Sequence, residues 1–597
     1  KHLKVTREIE PGSALDFSFL LDAPAGKYGF LKVADDHFEF EKKNGSARFF
    51  GVNLCFSACF LEQAQSDRLA ERLARLGYNA VRFHHFDGML NPKGAKSSAE
   101  LDPQQLDRLD YLVHALKQRG IYITFDLFTT RSVKPGEFRS FPELKLQRDY
   151  KLAAMLLPEV NANLKEFSRN LLTHVNPYTG LRWADDPVFI GISIINENTV
   201  YHIINAGTSD AIRKLFREKF DSRNRIGNIT ITDRNREDEF CRFLSEVYDD
   251  YYADMVKFLY GLGVRIPLTE QNFIMSPNLT RQRAAYDYVD NHIYWDHPTF
   301  IGREWALPKR YHNRSVITGR FTSPGDLAPT RVFGKPFTVT EFDFCRPNPF
   351  RVEGAPALAA FAAMQDWNAL YRFAYLHTSR NLFSGQLSGS FDAVNDPIQL
   401  LSDRLAAAFF LRGDVKRIEA AFPIAVSPDE HLNYIARYPK GAQELTFFGR
   451  VGSVLHRNNG SFSPPLPPET KAIYALDTAL RDNHTEIPLL REPDARKMFT
   501  ELRRRNLVAP QEAAEDGSWF STPGGQFTAD FAAGTFRAVT PYSEALAVPA
   551  GRVQAGNFLR AESLRDFSVT GAVALDGKPL RDSGRILVLH LSDVAAE

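Results

Sequence analysis

Two glutamates stand where strongly apolar runs of the sequence end. The run 187–195 leads into Asn196 and Glu197, and the β-branched and aromatic run 335–340 leads into Glu341. A carboxylate at the end of a buried strand is costly unless it is paired or does chemistry. Two such groups are what a retaining glycosidase needs, one to protonate the leaving oxygen and one to attack the sugar carbon. Glu197 and Glu341 are therefore the candidate catalytic pair.

The sequence around this pair alternates between predicted strands and helices. An apolar helical face ends at Gly77, Asp102 and Pro103 begin a second helix, and a longer helix is predicted over 239–262. Eight strands are predicted, at 49–54, 79–84, 121–126, 187–195, 265–270, 287–292, 336–341 and, more weakly, 381–386. This order predicts an α/β fold, a (β/α)8 TIM barrel.

Polar side chains gather at the predicted carboxyl ends of these strands, where the active sites of such barrels lie. Glu270 is a rival carboxylate and is interpreted as a supporting partner. His84 shares strand parity with Arg82 and should point inward, whereas His85 should point outward. The residues at strand ends are Asn53, Arg82, His84, Asp126, Glu197, Glu270, His292 and Glu341.

Several of these motifs resemble a known signature. Their order and strand positions are similar to those of the clan A glycoside hydrolases, and most nearly to the cellulase-like family 5 group. The resemblance spans about residues 46–405, and its motifs are Gly51–Asn53, Val81–Arg82, Asn196–Glu197, His292–Tyr294 and Thr340–Glu341. It implies that Glu197 is the acid/base and Glu341 the nucleophile.

The same resemblance implies the residues that surround the sugar. Asn196 is expected to hold the 2-hydroxyl, Arg82 to lie near the nucleophile, and His292 and Tyr294 to line the site. Asn53, His84 and Trp295 complete the candidate substrate-binding set, since strand-end groups contact substrate and a tryptophan can stack on a sugar face.

The chain also departs from the family 5 pattern. The segment 126–130 lacks the histidine that usually follows the third strand, and the histidines stand at His84 and His85 instead. The tryptophan that usually ends the eighth strand is missing, with 383–389 in its place. Both positions touch the sugar beside the scissile bond, so the substrate stays open.

Physical chemistry adds an expectation about protonation. Near an ionised partner in a poorly solvated cleft, Glu197 should have a raised pKa, and Arg82 should help to keep Glu341 ionised. Carboxyl groups about 5 Å apart predict retention of anomeric configuration, and a gap of about 6.5–9.5 Å predicts inversion.

Composition limits the partners. Seventy-three basic and seventy-two acidic side chains give a formal charge of +1, so neither nucleic acid nor an anionic membrane is an expected partner. No apolar run is long enough for a membrane span, and the four cysteines form neither a disulfide framework nor a zinc motif. A neutral carbohydrate is the expected partner, with no cofactor and no metal; the oligomeric state is open.

The cellular location is left open as well. Because the chain begins with Lys1 rather than methionine, a processed N-terminus is expected. The protein would be secreted or periplasmic if an export signal was removed, and cytoplasmic otherwise.

Four regions are predicted along the chain. Residues 1–45 form an N-terminal β segment whose hairpin, turning at Asn44-Gly45, caps the bottom of the barrel. Residues 46–415 form the catalytic barrel, 416–510 an irregular α/β or β connection, and 511–597 a β-sandwich-like region. That last region either binds carbohydrate or braces the barrel, and bracing is the favoured role.

The predicted function is therefore a retaining β-glycosidase that cleaves a β-mannoside, β-glucoside or β-galactoside of an oligo- or polysaccharide. A catalytically weak carbohydrate-binding protein on the same barrel is one alternative. A metal-dependent amidohydrolase is another, although it would need a His-x-His on one strand face, and His84 and His85 alternate.

Overall fold

A computed structural model describes residues 8–204, 207–224, 236–384, 389–432, 436–457 and 460–593. The chain begins with a three-stranded antiparallel sheet of β1 (Leu31–Ala34), β2 (His37–Phe40) and β3 (Lys43–Ala47). The predicted turn at Asn44-Gly45 is wrong. Phe40 pairs with Lys43, so the chain turns at residues 41–42, and Asn44 and Gly45 lie within β3 where the register shifts. Gly45, with φ +97, supplies the left-handed backbone of this bulge.

Eight parallel strands form a single barrel sheet, in the spatial order β8-β7-β6-β5-β4-β13-β12-β9. Every long strand is buried along nearly its whole length, because helices cover the outside and side chains fill the inside. The strands are β4 (Phe49–Cys55), β5 (Ala80–His84), β6 (Tyr122–Phe128), β7 (Phe189–Ile195), β8 (Leu268–Thr269), β9 (Val289–Trp295), β12 (Phe337–Phe344) and β13 (Ala369–Leu376), with the hairpin β10 (Thr299–Phe300) and β11 (Lys309–Arg310) inserted after β9. The predicted (β/α)8 fold is confirmed.

Helices fill the connections between these strands. Two predicted boundaries are confirmed: Gly77 ends α1 with φ +87, and the Asp102 carboxylate caps α3 by accepting from the main-chain N–H groups of Gln104 and Gln105. The helices are α1 (Gln63–Leu76), α2 (Asp87–Leu90), α3 (Pro103–Gln118), α4 (Gln147–Leu156), α5 (Pro158–Thr173), α6 (Asp210–Asn224), α7 (Arg236–Gly261), α8 (Thr280–Arg283), α9 (Thr322–Leu327), α10 (Arg351–Met364) and α11 (Pro397–Ala406).

The eighth barrel strand lies earlier than the sequence predicts. It is β13. The predicted strand at 381–386 begins at the last residue of a 3-10 turn, Ser379–Asn381, its residues 382–384 form no strand, and residues 385–386 are outside the described ranges. The first residue after β13 is His377, so the segment 383–389 does not end the eighth strand. Arg372 lies inside the apolar run of β13, and a charged residue in a fully buried strand is tolerated only when its partners come from elsewhere in the fold.

Those partners form a buried ion network. Arg372 donates from Nε and Nη2 to both oxygens of Asp403, at 2.9 and 2.5 Å, and from Nη1 to Asp343, at 2.6 Å. Tyr78 also donates to Asp403. The network ties β13 to β12 and α11 and thereby fixes the register of the strand that closes the barrel beside β4.

Replacing Arg372 by methionine is expected to destabilise the fold by about 3–5 kcal/mol, because it leaves two buried carboxylates without their cation. Thermal unfolding followed by circular dichroism measures the effect. The exposed Arg504, which pairs with Glu501 on the surface, is the control: Arg504→Met should leave the midpoint unchanged. Equal midpoints for the two variants would contradict the structural role of the network.

Aromatic side chains close the amino-terminal end of the barrel. Phe38 packs against Phe49 and Tyr288, and Phe40 stacks on Tyr122, with ring centroids 5.0–6.5 Å apart. Phe49 and Tyr122 begin β4 and β6. The N-terminal sheet therefore caps the bottom of the barrel, as predicted.

Two further sheets follow the barrel. The first is mixed and has the order β16-β15-β14-β17-β18, with β14 (Ala421–Val426), β15 (Arg450–His456), β16 (Phe462–Ser463), β17 (Ile473–Ala475) and β18 (Leu489–Leu490), together with helices α12 (Lys440–Glu444) and α13 (Ala495–Arg504). The second is antiparallel with the order β19-β20-β21-β22-β25-β26, namely β19 (Trp519–Ser521), β20 (Phe527–Asp530), β21 (Thr535–Val539), β22 (Ser543–Val548), β25 (Ser568–Ala574) and β26 (Ile586–Ser592), beside a hairpin of β23 (Arg552–Ala555) and β24 (Arg560–Ser563).

The antiparallel sheet packs on the barrel. Helix α10 contacts β25, and α11 contacts β25 and β26. Helix α10 is buried on every side, consistent with its almost uniformly apolar sequence.

Two further properties concern the whole described chain. The four cysteines are free and buried. None of the helices found in the described ranges has the length and apolarity required to cross a lipid bilayer.

Candidate active site

The two candidate catalytic glutamates meet at the carboxyl end of the barrel. Glu197 follows the last residues of β7, Glu341 lies within β12, and His292 and Tyr294 lie on β9. Because β12 and β9 are parallel neighbours, Glu341 stands opposite His292 in the register. The apolar composition of the three strands buries them in the barrel wall, and their polar ends are brought to one point.

Glu341 is held by donors on both oxygens. Arg82 donates from Nη1 to Oε1 at 2.7 Å, and the Tyr294 hydroxyl donates to Oε2. His292 Nδ1 and His84 Nε2 lie 3.4 and 3.5 Å from Oε1. These contacts fix the carboxylate in one orientation, and they place His292 and Tyr294 in the wall of the site.

Arg82 connects four parts of the site. Its second terminal nitrogen, Nη2, donates to Asp126 Oδ1 at 2.7 Å and to Asn196 Oδ1 at 2.8 Å, while Nη1 also approaches Asn53 Oδ1 at 3.4 Å. The guanidinium is 1% exposed, and the charges of Asp126 and Glu341 outweigh its burial and raise its pKa. A permanently charged and rigid group therefore lies beneath the carboxylate pair.

His84 points inward and is buried, as predicted from strand parity. Its Nδ1 lies 2.7 Å from Asp126 Oδ2, and burial with the charge of Arg82 lowers the pKa of His84 well below its usual range. The prediction that His85 points outward is wrong. His85 leaves the extended strand with φ +52, and its ring packs between those of His84 and Phe56.

Glu197 is more accessible than Glu341 and adopts an unusual backbone conformation. Its side chain is 33% exposed, and its φ is +48, a left-handed value that costs a non-glycine residue on the order of 1–3 kcal/mol. Asn272 holds this backbone by accepting from the Glu197 N–H at 2.7 Å. The carboxyl contacts His292, whose Nδ1 is 3.1 Å from Oε1.

A single proton is shared between Glu197 and His292. Thr340 donates its hydroxyl hydrogen to Asp290, so its oxygen accepts from His292 Nε2 at 3.2 Å. With Nε2 protonated, the contact between Nδ1 and Glu197 requires one more proton, carried either by the imidazole or by the carboxyl. The pair therefore acts as one proton-holding unit.

The expected ordering of the two pKa values is wrong for this structure. Burial opposes ionisation of Glu197, but the hydrogen bond and charge of His292 outweigh it and lower the pKa of Glu197. Burial raises the pKa of Glu341 despite the opposing charges of His292 and Arg82. The glutamates outweigh burial of the imidazole and raise the pKa of His292, so that the shared proton lies on the histidine.

The separation of the two carboxylates is short. One potential ligand atom from each of Glu197, His292 and Glu341 lies within 4.8 Å of the other two. Within the described ranges this is also the cluster whose geometry suits a cation. Both oxygens of Glu341 already accept hydrogen bonds from protein donors, which makes a metal-ligand role less favourable.

Two of the predicted substrate-binding residues do not face the cleft. Asn53 is fully buried, and its Nδ2 donates to the main-chain oxygens of Thr340 and Arg372. Trp295 has the opposite strand parity to Tyr294, and its indole N–H donates to Arg314 O at 2.7 Å. Asn53 therefore supports the floor of the site, and Trp295 packs away from the carboxylates.

Glu270 lies behind the site and has no exposed surface. It accepts from Asn198 Nδ2 at 2.9 Å and from the hydroxyls of Tyr248 and Tyr251 at 3.0 and 3.2 Å. Burial raises the pKa of Glu270 to about 7. It is a buried partner of Asn198, two positions from Asn196, and does not reach the cleft.

Three contributors were given no catalytic or substrate-binding role by the sequence. Asp126, a strand-end residue, orients both Arg82 and His84. Asn272, two positions beyond Glu270, and Lys151, on α4, contact the backbone at Glu197. The strand-end position signalled Asp126, whereas no local pattern marks Lys151, because it approaches the site from a helix.

Comparison with known proteins gives likeness in structure but not in sequence. No family model matches the chain, and no curated protein matches it. The chain is similar to an endo-beta-1,4-mannanase from Thermotoga petrophila (13% identity, 62% of this chain and 78% of that one, TM-score 0.41). It is also similar to a glycoside hydrolase family 5 mannosidase from Rhizomucor miehei (11%, 65% and 99%, TM-score 0.39) and to a beta-mannanase from the blue mussel Mytilus edulis (13%, 66% and 99%, TM-score 0.36). These low values decide nothing about the reaction, which is inferred from the site geometry.

Proposed function

We propose that this protein is a retaining glycoside hydrolase that cleaves β-glycosidic bonds of an oligo- or polysaccharide. The observation that carries the proposal is the pair of carboxylates, Glu197 and Glu341, with oxygen atoms within 4.8 Å at the carboxyl end of the barrel. Retaining enzymes hold their carboxyl groups about 5–5.5 Å apart, whereas inverting enzymes leave a wider gap for water. The expected product therefore keeps the anomeric configuration of the substrate.

In the first step, a Glu341 oxygen attacks the anomeric carbon while the bond to the leaving oxygen breaks. Glu197 donates its proton to that oxygen, and a covalent glycosyl ester forms on Glu341. In the second step, Glu197 accepts a proton from water, whose oxygen attacks the same carbon and releases Glu341. The first step consumes the proton on Glu197 and the second restores it.

The surrounding residues supply position and charge. Arg82 and Tyr294 hold Glu341 ionised and aligned before attack. Asn196 uses Oδ1 to accept from Arg82, so its side-chain nitrogen is the donor directed to a sugar hydroxyl. His84 completes the polar floor.

His292 supplies the proton that makes Glu197 an acid. At 3.1 Å the proton on Nδ1 can move to the Glu197 oxygen. The negative charge of Glu197 disappears in that transfer, as it must before a leaving oxygen can be protonated.

A pH profile tests this role. The basic limb of kcat/KM should report loss of the shared proton. Because the pKa of His292 is raised above the ordinary value of about 6.5 for histidine, the wild-type limb should lie above that pH. In His292→Gln only Glu197 can hold the proton, and its pKa loses the lowering effect of His292. Because a carboxyl group ordinarily titrates about two units below an imidazole, the limb should still move to lower pH. An unchanged limb would show that the proton is not shared.

The sugar is left open between mannose, glucose and galactose configurations. Hydrolysis of aryl β-glycosides and β-linked polysaccharides of each type identifies it, and proton NMR of the first product formed gives the stereochemistry. A product of inverted configuration would contradict the proposed double displacement.

Metal dependence distinguishes the proposed glycosidase from the main alternative enzyme class. A metal-dependent amidohydrolase would use the cluster of Glu197, His292 and Glu341 as ligands, and a chelator would abolish its activity. The glycosidase mechanism needs only protein carboxylates. Activity is therefore expected to persist after dialysis against a chelator, and its loss, with recovery on adding a divalent cation, would favour the metal enzyme.

A carbohydrate-binding protein with weak activity is the remaining alternative. It would bind an oligosaccharide in calorimetry without turning it over. The presence of both carboxylates with donors to each favours turnover, and the substrate panel separates the two.

A further inference from the structure

Lys151 is a buried lysine without a carboxylate partner in the described part of the chain. It lies on α4 and is 7% exposed. Its ammonium donates to two main-chain oxygens, those of Asn196 and Glu197, the latter at 3.3 Å. A buried ammonium is usually paired with an acid, because loss of hydration is otherwise poorly compensated.

The two acceptors belong to the chain segment that carries the acid/base. Asn272 binds the N–H of Glu197, and Lys151 binds the carbonyl oxygens on either side of it. Glu197, which lies between these two carbonyl groups, has a φ of +48. A left-handed backbone at a glutamate persists only where surrounding contacts enforce it, and these two side chains provide such contacts.

The direction of the Glu197 side chain depends on this backbone. The left-handed conformation turns the chain immediately after β7, where an extended strand would have continued outward. The turn brings the Glu197 carboxyl into contact with His292 and to within 4.8 Å of a carboxylate oxygen of Glu341. Releasing it would move the acid relative to the leaving oxygen while Glu341 stays fixed by Arg82 and Tyr294.

We propose that Lys151 is a positioning residue that fixes the left-handed backbone of Glu197 and so aims its carboxyl at the leaving oxygen. The inference rests on the proposed function and adds a role for a residue on a barrel helix. Lys151 itself touches no substrate. Its removal should impair acid catalysis selectively.

Leaving-group dependence is the measurement that isolates this effect. A dinitrophenyl β-glycoside needs no proton on its leaving oxygen, whereas an alkyl β-glycoside or the natural disaccharide does. For Lys151→Met we expect kcat/KM to fall on the order of 100-fold for the poor leaving group, within the range for general acid catalysis. It should fall less than about threefold for the dinitrophenyl glycoside, since attack by Glu341 is unaffected.

Two further variants control the experiment. Lys151→Arg retains a cation with several donors and should restore most of the activity on the poor leaving group. Lys117, which pairs with Asp186 just before β7 begins, provides a matched partly buried lysine at the opposite end of the barrel. Lys117→Met should lower both activities equally, if at all.

The outcomes separate this inference from the proposed function. Equal losses on both substrates for Lys151→Met, measured on the fraction shown to be folded by circular dichroism, would overturn the positioning role. If that variant does not fold, Asn272→Ala must show the same selectivity for the backbone clamp to stand. Selectivity in Glu197→Ala without it in Lys151→Met would refute only the inference. Absence of selectivity in Glu197→Ala would refute the proposed function.

Discussion

Replacing Glu341 by alanine is expected to lower kcat by on the order of 10⁴–10⁶-fold, as loss of a covalent nucleophile does. Among the residues that the structure describes, the two nearest rivals cannot replace it: Glu270 is fully buried behind the site, and Asp126 is engaged by Arg82 and His84. Arg82 and Tyr294 would then face a small cavity. Added azide should partly restore turnover by entering that cavity and attacking the sugar, giving an α-glycosyl azide from a β-glycoside.

Glu270→Gln is the matched control for this experiment. It also changes a glutamate at a strand end, and its neutral side chain resembles the protonated form that the raised pKa favours near pH 7. We expect activity within about tenfold of the wild type, since Glu270 contacts no reacting atom. A larger loss of activity in Glu270→Gln than in Glu341→Ala would contradict the assignment of Glu341 as the nucleophile.

Replacing Glu197 by alanine should produce a different pattern from loss of Glu341. Hydrolysis of poor leaving groups should fall by about 10²–10⁴-fold, the range for a general acid. The kcat/KM for a dinitrophenyl glycoside should be nearly preserved, because its leaving oxygen needs no proton. Hydrolysis of the glycosyl ester also loses its base, so this substrate should show a burst followed by a slow steady state.

Azide distinguishes the two glutamates chemically. In Glu197→Ala it should accelerate the slow step and give a β-glycosyl azide, because it attacks the ester on Glu341 with a second inversion. An α-glycosyl azide from this variant would show that Glu197 is the nucleophile and Glu341 the acid/base. The same azide products, compared between variants, thus assign each carboxylate without reference to relatives.

The eight-strand barrel, its bottom cap and the meeting of Glu197 with Glu341 were predictable from sequence. Apolar runs ending in polar residues mark buried strands, and a parallel barrel brings their carboxyl ends to one face. Helix ends such as those at Gly77 and Asp102 were predictable because helix caps are local: the capping residue and the turn that it caps lie within a few positions of each other.

The tertiary structure decided what depends on distant partners. The eighth strand was not predicted, and it carries Arg372 in the middle of its apolar run. Asp343 and Asp403, which come from other elements, make that charge compatible with burial. The turn of the N-terminal hairpin moved off Asn44-Gly45 for a related reason. Strand pairing across Phe38 and the packing of aromatic rings on the barrel outweighed the local turn preference.

The protonation of the site was likewise a tertiary result. The two strand-end glutamates predicted a raised pKa, and so a proton, on Glu197. The structure places that proton on His292 instead, because Thr340 on the neighbouring strand fixes the imidazole. Lys151 reaches Glu197 from a helix, with no spacing to reveal it. Sequence determined which groups meet, because strand ends are local signals; the fold determined their orientation and charge, because these arise from contacts between elements far apart in the chain.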